Sequence, residues 1–398
     1  MIAVNRHAKV EIFTYHSEMW ADKAGYNVYL PALFIYKFNA SKFPDSIEHK
    51  TGDGFILNRN SNKVITKYPY GVALLQSPFW LVAHLIDKEK KGYSKIYNKV
   101  IYISAVFYFV LGLFFLYKLF GEGQDKKSII VTFFSAIFGT NLLYYAVCET
   151  GMSHIYSFAF FSILLFLLFK KIINYQLILV SLIILIIRPI NIVFLLPILL
   201  FFEVTNKVDF WLRIKALTTI KNIFLAMLLS GIIFSPQLIY NNYAFQSWGM
   251  DSYQNERFMY WRNPRILEVL FAPNNGLFLY APVLLILLVL VVLSLRKLKK
   301  IAHLPIFLLI VYTMMYGSWW SYMLGCGFGH RGFVDILPIY IYLFYHLIKI
   351  SNNKLLYILL LISCIYTTKL SFAYDGCFYG KWDWDWRAYR ELLNKETR

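Results

Sequence analysis

Acidic residues are scarce in this sequence, cysteines are few, and no internal repeat is evident. Asp and Glu number 22 against 40 Lys and Arg, and charged residues make up only 16% of the chain. The four cysteines, Cys148, Cys326, Cys364 and Cys377, have none of the spacings of a structural metal site. Cys326 and Cys377 could pair only if both face an oxidising compartment, so four unpaired, small apolar residues are expected. The opening MIAVNRHAKVEIF lacks the apolar core of a cleavable signal peptide. Gly325, Gly327 and Gly329 are not a dinucleotide fingerprint, because no strand precedes them. The missing repeat argues against a transporter built from inverted halves.

What the chain has in abundance is apolar length. It is 59% hydrophobic, with 35 Phe and 31 Tyr. Apolar runs recur at about 18–22 residues, the length a bilayer core requires. The expected fold is an all-α, polytopic membrane helical bundle. Spans are expected near 100–120, 128–148, 153–171, 222–242, 277–295, 301–318, 334–349 and 355–372. Segment 175–202 is broken by Arg188-Pro189 and again by Pro197, which predicts two short helices in a re-entrant or kinked pair. Residues 1–99 form an arm in which 25–38 and 68–86 lie in the membrane interface, with a polar excursion at 39–67 between them. Residues 100–372 are the bundle and 373–398 a tail.

The formal charge of +18 would suggest nucleic acid in a soluble chain. Here no nucleic-acid partner is expected, because the basic residues sit in short loops, as the positive-inside rule requires. Loops at Lys126/Lys127, Lys170/Lys171, 207–221, 296–300 and 349–354 go to the cytoplasm. The cluster 88–99 is the exception. The arm, 148–153, the Arg188 turn, 242–276, 318–338 and the tail then share the outer face.

The polar residues that could do chemistry collect on that face. In the arm they are Glu18, Asp22, Lys67 and Tyr68. A carboxylate held at the membrane surface can deprotonate a hydroxyl or bind a metal, or simply cap a helix. Glu149, Ser153 and His154 open a span, where a histidine is a ligand or a packing residue. Arg188, near Asn191, offers a phosphate fork, or else pairs with a buried carboxylate. The outer loop carries Asp251, Glu256 and Arg257, then a turn at Asn274-Asn275-Gly276 ahead of Tyr280. Asp383 and Asp385 could hold a divalent cation, though alternating Trp and Asp suits an edge on lipid headgroups better. Most distinctive is SWWSYMLGCGFGHRGFVDILP, with Trp319, Trp320, His330, Arg331 and Asp335. Asp335 is expected to pair with a nearby cation such as Arg331.

WADKAGYNVYLPALF, KYPYGVALLQSPF, ETGMSHIYSF, RPINIVFLLP, NPRILEVLFAPNNGLFLYAP and GFGHRGFVDILP together resemble the GT-C glycosyltransferases. The likeness is to bacterial members of the protein mannosyltransferase and aminoarabinose transferase type. It implies an enzyme of the bacterial inner membrane with a periplasmic active face. That enzyme moves a sugar from a polyprenyl-phosphate donor in the bilayer to a glycan, lipid or protein acceptor. By this resemblance Asp22 is the catalytic carboxylate, a general base or acceptor-orienting group, with Glu18 second, and Lys67, Arg188 and Arg331 bind the lipid phosphate. Tyr68, His154, Asn275, Tyr280, Trp320 and His330 shape the pocket. Some members use a divalent metal and others do not, so metal dependence does not transfer. The family has a membrane helix before the acidic arm and this sequence shows none, implying a start upstream or a shortened chain. The alternatives are a lipid-linked-sugar flippase or a degenerate, non-catalytic homologue.

Overall fold

The computed structural model describes residues 11–120, 125–249, 256–351 and 353–395. Asp251 and the two extreme ends of the chain lie outside the described residues. Among the described residues the chain is mostly helical. Its strands are β1 (Ile56–Asn58) and β2 (Lys63–Ile65), an antiparallel hairpin with Leu57 opposite Val64.

The arm begins with α1 (Asp22–Asn27) and continues through wide helical turns to Tyr36. After the hairpin comes α2 (Gly71–Ile86). The bundle follows as α3 (Lys95–Phe120), α4 (Lys126–Gly139), α5 (Leu142–Val147), α6 (His154–Phe169), α7 (Tyr175–Ile187), α8 (Ile192–Phe201), α9 (Lys207–Leu217) and α10 (Ile220–Phe245). It ends with α11 (Ile266–Phe271), α12 (Pro282–Ser318), α13 (Phe333–Ile350) and α14 (Lys354–Ala373), and the tail carries α15 (Trp386–Asn394). Short polar side chains start many of these helices. Asp125, Asn174, Asn206, Thr219, Asn353 and Asp385 each accept hydrogen bonds from the free N–H groups of the first turn.

Among the described residues, five helical stretches are long and apolar enough to cross a membrane: α3, α10, residues 300–318 of α12, α13 and α14. The expected span 128–148 is interrupted. Thr140 is extended there, and its hydroxyl binds the Ala136 carbonyl, so α4 stops and α5 restarts. Helix α13 is 83% buried and α10 only 11%, which makes α13 the centre of the bundle and α10 its rim. The apolar and aromatic side chains of α13 face neighbours on nearly every side, and its buried Asp335 is met by a partner.

Two segments double back. Helix α12 is assigned without a break, and a straight helix of its 37 residues would run about 55 Å. Yet Leu287 and Val291 share one small apolar gap with Pro305 and Leu309, and Tyr280 and Tyr316 pack against Gly329 and Gly332. The run therefore folds into a hairpin around its basic middle, as two separate spans require. The pair α7–α8 does the same more sharply. Pro189 follows an extended Arg188, and both free ends meet the α9–α10 corner. There Asn222 donates to Ile173 O and Ala216 O, while Arg213 donates to Leu199 O and Phe202 O. The segment doubles back, with Arg188 at its tip.

The arm is a packed cap rather than a loose excursion. Met19, Tyr29, Trp80, Tyr97, Ile101 and Tyr240 form a second core over the ends of α3 and α10. Thr66 N donates to Tyr240 Oη at 2.7 Å and Val64 N to Tyr243 Oη at 2.9 Å, which pins the hairpin. Helix α2 buries Val72, Trp80 and Ala83 and leaves the aliphatic Val82, Leu85 and Ile86 exposed on its other side.

Candidate functional site

A cavity of about 680 Å³ opens where the arm, the α7–α8 tip, α10, the loop before α13 and the tail converge. Asp22, Lys67, Tyr68, His154, Arg188, Trp320 and Arg331 all line it. Seven of the expected site residues are thus brought together from across the chain.

Asp22 is set in place by backbone geometry. Ala21 before it has φ 49°, a left-handed value costly for a residue with a Cβ, at roughly 1–3 kcal/mol. Ala21 N donates to Thr51 O at 2.8 Å, and Gly25 N donates back to Ala21 O. Gly25 itself is required, since a Cβ there would fall 2.4 Å from the Tyr68 ring. The result aims the carboxylate into the cavity. Tyr68 donates its hydroxyl to Oδ1 at 2.5 Å, and Arg331 Nη2 donates to Oδ2 at 3.0 Å across 309 positions of sequence. Burial pushes the Asp22 carboxyl up. The Arg331 guanidinium, the Tyr68 hydroxyl and the Lys67 ammonium together outweigh it, so the group sits below its ordinary value. Asp22 is an anion at neutral pH.

Arg331 leaves the glycine-rich loop just before α13. Its Nη1 donates to Cys326 O at 3.3 Å. Lys67 pairs with Glu256. Glu256 opens a strap that runs against the other side of the loop, with Trp320 N donating to Arg257 O and Tyr260 N to Ser318 O. That strap carries Phe258 against Trp319, edge on at 4.7 Å.

Arg188 and His154 reach the cavity wall, but their polar atoms are turned to Asp335. Arg188 Nη1 lies 2.6 Å from Asp335 Oδ2, and His154 Nδ1 lies 2.8 Å from Oδ1. Asp335 is fully buried. Arg188 is therefore the structural partner of a buried carboxylate, and a buried anion needs such a partner. This corrects one expectation: Asp335 pairs with Arg188 rather than Arg331. Arg188 holds the tip against α13, as its alternative reading had it, and also lines the cavity, where Nη2 donates to Tyr316 Oη at 3.4 Å.

Four expected site residues lie outside the cavity. Glu18 is fully buried, accepts from Gly151 N at 2.5 Å and shares Lys23 with Glu149. For Lys23, burial pulls the ammonium down, but Glu149 and Glu18 more than restore it, and it stays charged. Glu18 thereby ties the arm to the α5–α6 connection. Asn275 is buried behind the loop: Nδ2 donates to Met323 O and Gly325 O, and Oδ1 accepts from Tyr374. Tyr280 is buried and donates to Pro273 O. His330 is held between Tyr312 Oη and Tyr322 O. These three support the loop from below and present nothing to a ligand. The cysteine expectation is also overturned, because Cys326 and Cys377 form a disulfide at the cavity wall. In the tail, Asp385 caps α15 and Asp383 accepts from Asn274 Nδ2, so the two carboxylates have separate tasks.

The sequence reading missed Gln237, Asn241 and Tyr316, which also line the cavity. Gln237 Nε2 donates to Asn241 Oδ1 at 2.8 Å. A signal was available: two amides four residues apart on an apolar helix mark one face turned toward polar surroundings. Among the described residues no group of three or more His, Cys, Asp or Glu is placed to hold a metal ion. Compared with family models, curated proteins and solved structures, the chain matches none.

Proposed function

We propose that this chain is a GT-C-type glycosyltransferase of the bacterial inner membrane. It moves a sugar from a polyprenyl-phosphate donor to a glycan, lipid or protein acceptor on the periplasmic face. One observation carries the reading. An ionised carboxylate, Asp22, meets Arg331 within reach of Lys67 in a roomy cavity walled by Trp319 and Trp320.

That set suits displacement of a phosphate from a sugar carbon. The acceptor hydroxyl oxygen forms a new bond to the anomeric carbon, the bond from that carbon to the phosphate oxygen breaks, and the hydroxyl proton passes to Asp22. The departing lipid phosphate carries negative charge, which Arg331 and Lys67 neutralise without supplying a proton. Donor phosphate competes with Asp22 for Arg331 and with Glu256 for Lys67. Binding therefore loosens the ion pair that holds Asp22 low and makes its carboxylate a better base. The indole rings offer flat apolar faces to the sugar or the prenyl chain.

The test is purified protein in detergent with a labelled polyprenyl-phosphate sugar. Release of polyprenyl phosphate together with a glycosylated acceptor is expected. Movement of the lipid across liposomes with no phosphate released would replace this reading with a flippase.

A further inference from the structure

The Cys326–Cys377 disulfide sits where no transfer step uses it, at the cavity wall, joining the glycine-rich loop to the tail across 51 positions. The loop it grips has little structure of its own. Leu324, Gly325, Gly327 and Gly329 all have positive φ, at 59°, 74°, 153° and 61°. Leu324 N bonds Ser321 O, and the following turn holds instead through outside contacts: Asn275 on Gly325 O and Tyr145 on Phe328 O. Cys326 is the one link from this loop to the tail that is covalent. Its carbonyl oxygen accepts from Arg331 Nη1 at 3.3 Å, while Arg331 Nη2 holds Asp22. The tail side is anchored independently. Asp375 accepts from Tyr15 and pairs with His16 and Lys395, and Asp383 is held by Asn274. The disulfide thus runs from a fixed tail to Cys326, the residue whose own carbonyl oxygen steadies the guanidinium.

We infer that Cys326–Cys377 is a positioning element for Arg331, so that capture of a lipid phosphate depends on the oxidised state of this pair. The inference rests on the proposed function for the identity of the anion, not for the positioning itself. Reduction by a dithiol breaks the S–S bond and leaves a thiol on each cysteine, while the dithiol gives up two electrons and closes to a cyclic disulfide. Cys326 O is then free to drift, and Arg331 loses one of its two protein acceptors. Cys148 and Cys364 are buried elsewhere and take no part.

Two measurements on the full chain in detergent test this. Hydrogen exchange without ligand compares oxidised protein with protein reduced by dithiothreitol. Faster exchange across 324–332 is expected, and unchanged exchange there overturns the positioning role whatever the protein binds. Titration with a polyprenyl monophosphate, with the neutral polyprenol as control, reads affinity through intrinsic tryptophan fluorescence, to which Trp20, Trp319 and Trp320 at the cavity contribute. Reduction should weaken phosphate binding by about tenfold, the loss of about 1.4 kcal/mol, and leave polyprenol binding unchanged. The Cys326→Ser/Cys377→Ser double variant should match the reduced protein and ignore the reductant. Equal affinity in both states with only a lower melting temperature would make the disulfide a staple and nothing more. If oxidised protein fails to distinguish the phosphate from the polyprenol, the glycosyltransferase reading fails, while the exchange result still decides the positioning.

Discussion

Replacing Asp22 with Asn keeps the shape and removes the charge, and the structure sets how large each consequence should be. Asp22 and Arg331 are 33% and 19% exposed, facing the cavity. A fully exposed pair is worth up to about 1 kcal/mol, and breaking a fully buried one costs about 3–5 kcal/mol. This pair lies between, at about 2 kcal/mol. Net stabilities of folded proteins are of the order of 5–15 kcal/mol, so the variant should still fold and purify. The chemical loss is larger. A positioned base contributes about 10²–10⁴ in rate, and the amide cannot take the proton. Transfer per folded molecule should therefore drop about 10²–10⁴-fold while the monodisperse yield falls little. The assay is kcat on the size-excluded fraction with a saturating polyprenyl-phosphate sugar. An Asp22→Asn enzyme within about twofold of the parent would refute the base.

Further outcomes follow from the same geometry. Tyr68→Phe removes a hydrogen bond that holds the Asp22 carboxyl low, so the acid limb of kcat/KM should move to higher pH; a limb that stays put would rule out the coupling. The sign for stability is consistent with this. A carboxylate depressed on folding stabilises the fold above its unfolded pKa, and that contribution is lost as pH falls through the folded value. Tyr68→Phe should make that contribution smaller. Asp335→Asn strips the anion from Arg188 in a fully buried setting and should cost about 3–5 kcal/mol, read as loss of folded protein in detergent; normal yield would show that the tip does not depend on the pair. Gly329→Ala puts a Cβ 2.9 Å from the Tyr280 Cβ at φ 61°. It should weaken the loop by roughly 1–3 kcal/mol, seen as a lower melting temperature.

Much of this layout can be read along the chain, because membrane helices announce themselves by length and apolarity. The Arg188-Pro189 break marks where the segment doubles back for a local reason: proline lacks the N–H that would continue α7. The polar stretches between apolar runs were also legible, and Asp22, Lys67 and Arg331 come together at one cavity as expected. Side-chain direction was not. Asn275, Tyr280 and His330 are the right residue types on the right face, yet each points inward to a backbone carbonyl or a buried hydroxyl. Pairing was not legible either. Arg331 and Asp335 are four residues apart and look like natural partners. Arg331 lies before the first turn of α13 and turns to the cavity, whereas Asp335 enters the core, where Arg188, 147 positions away, and His154 reach it. Glu18 and Asp22 look alike in sequence, and their separate fates depend on which one the strained turn at Ala21 swings outward.

The helices behind the cavity are short. With 16, 13 and 10 residues, α6, α7 and α8 extend about 24, 20 and 15 Å, against a hydrocarbon layer about 30 Å thick. Helix α6 is almost wholly buried, so lipid would meet the shorter α7–α8 pair instead. Set in a bilayer, that pair would leave the layer locally thin, the usual response to a short apolar segment. Under the proposed function, a donor phosphate drawn into such a dimple would approach Arg331 and Lys67 sideways, with its prenyl tail still in oil.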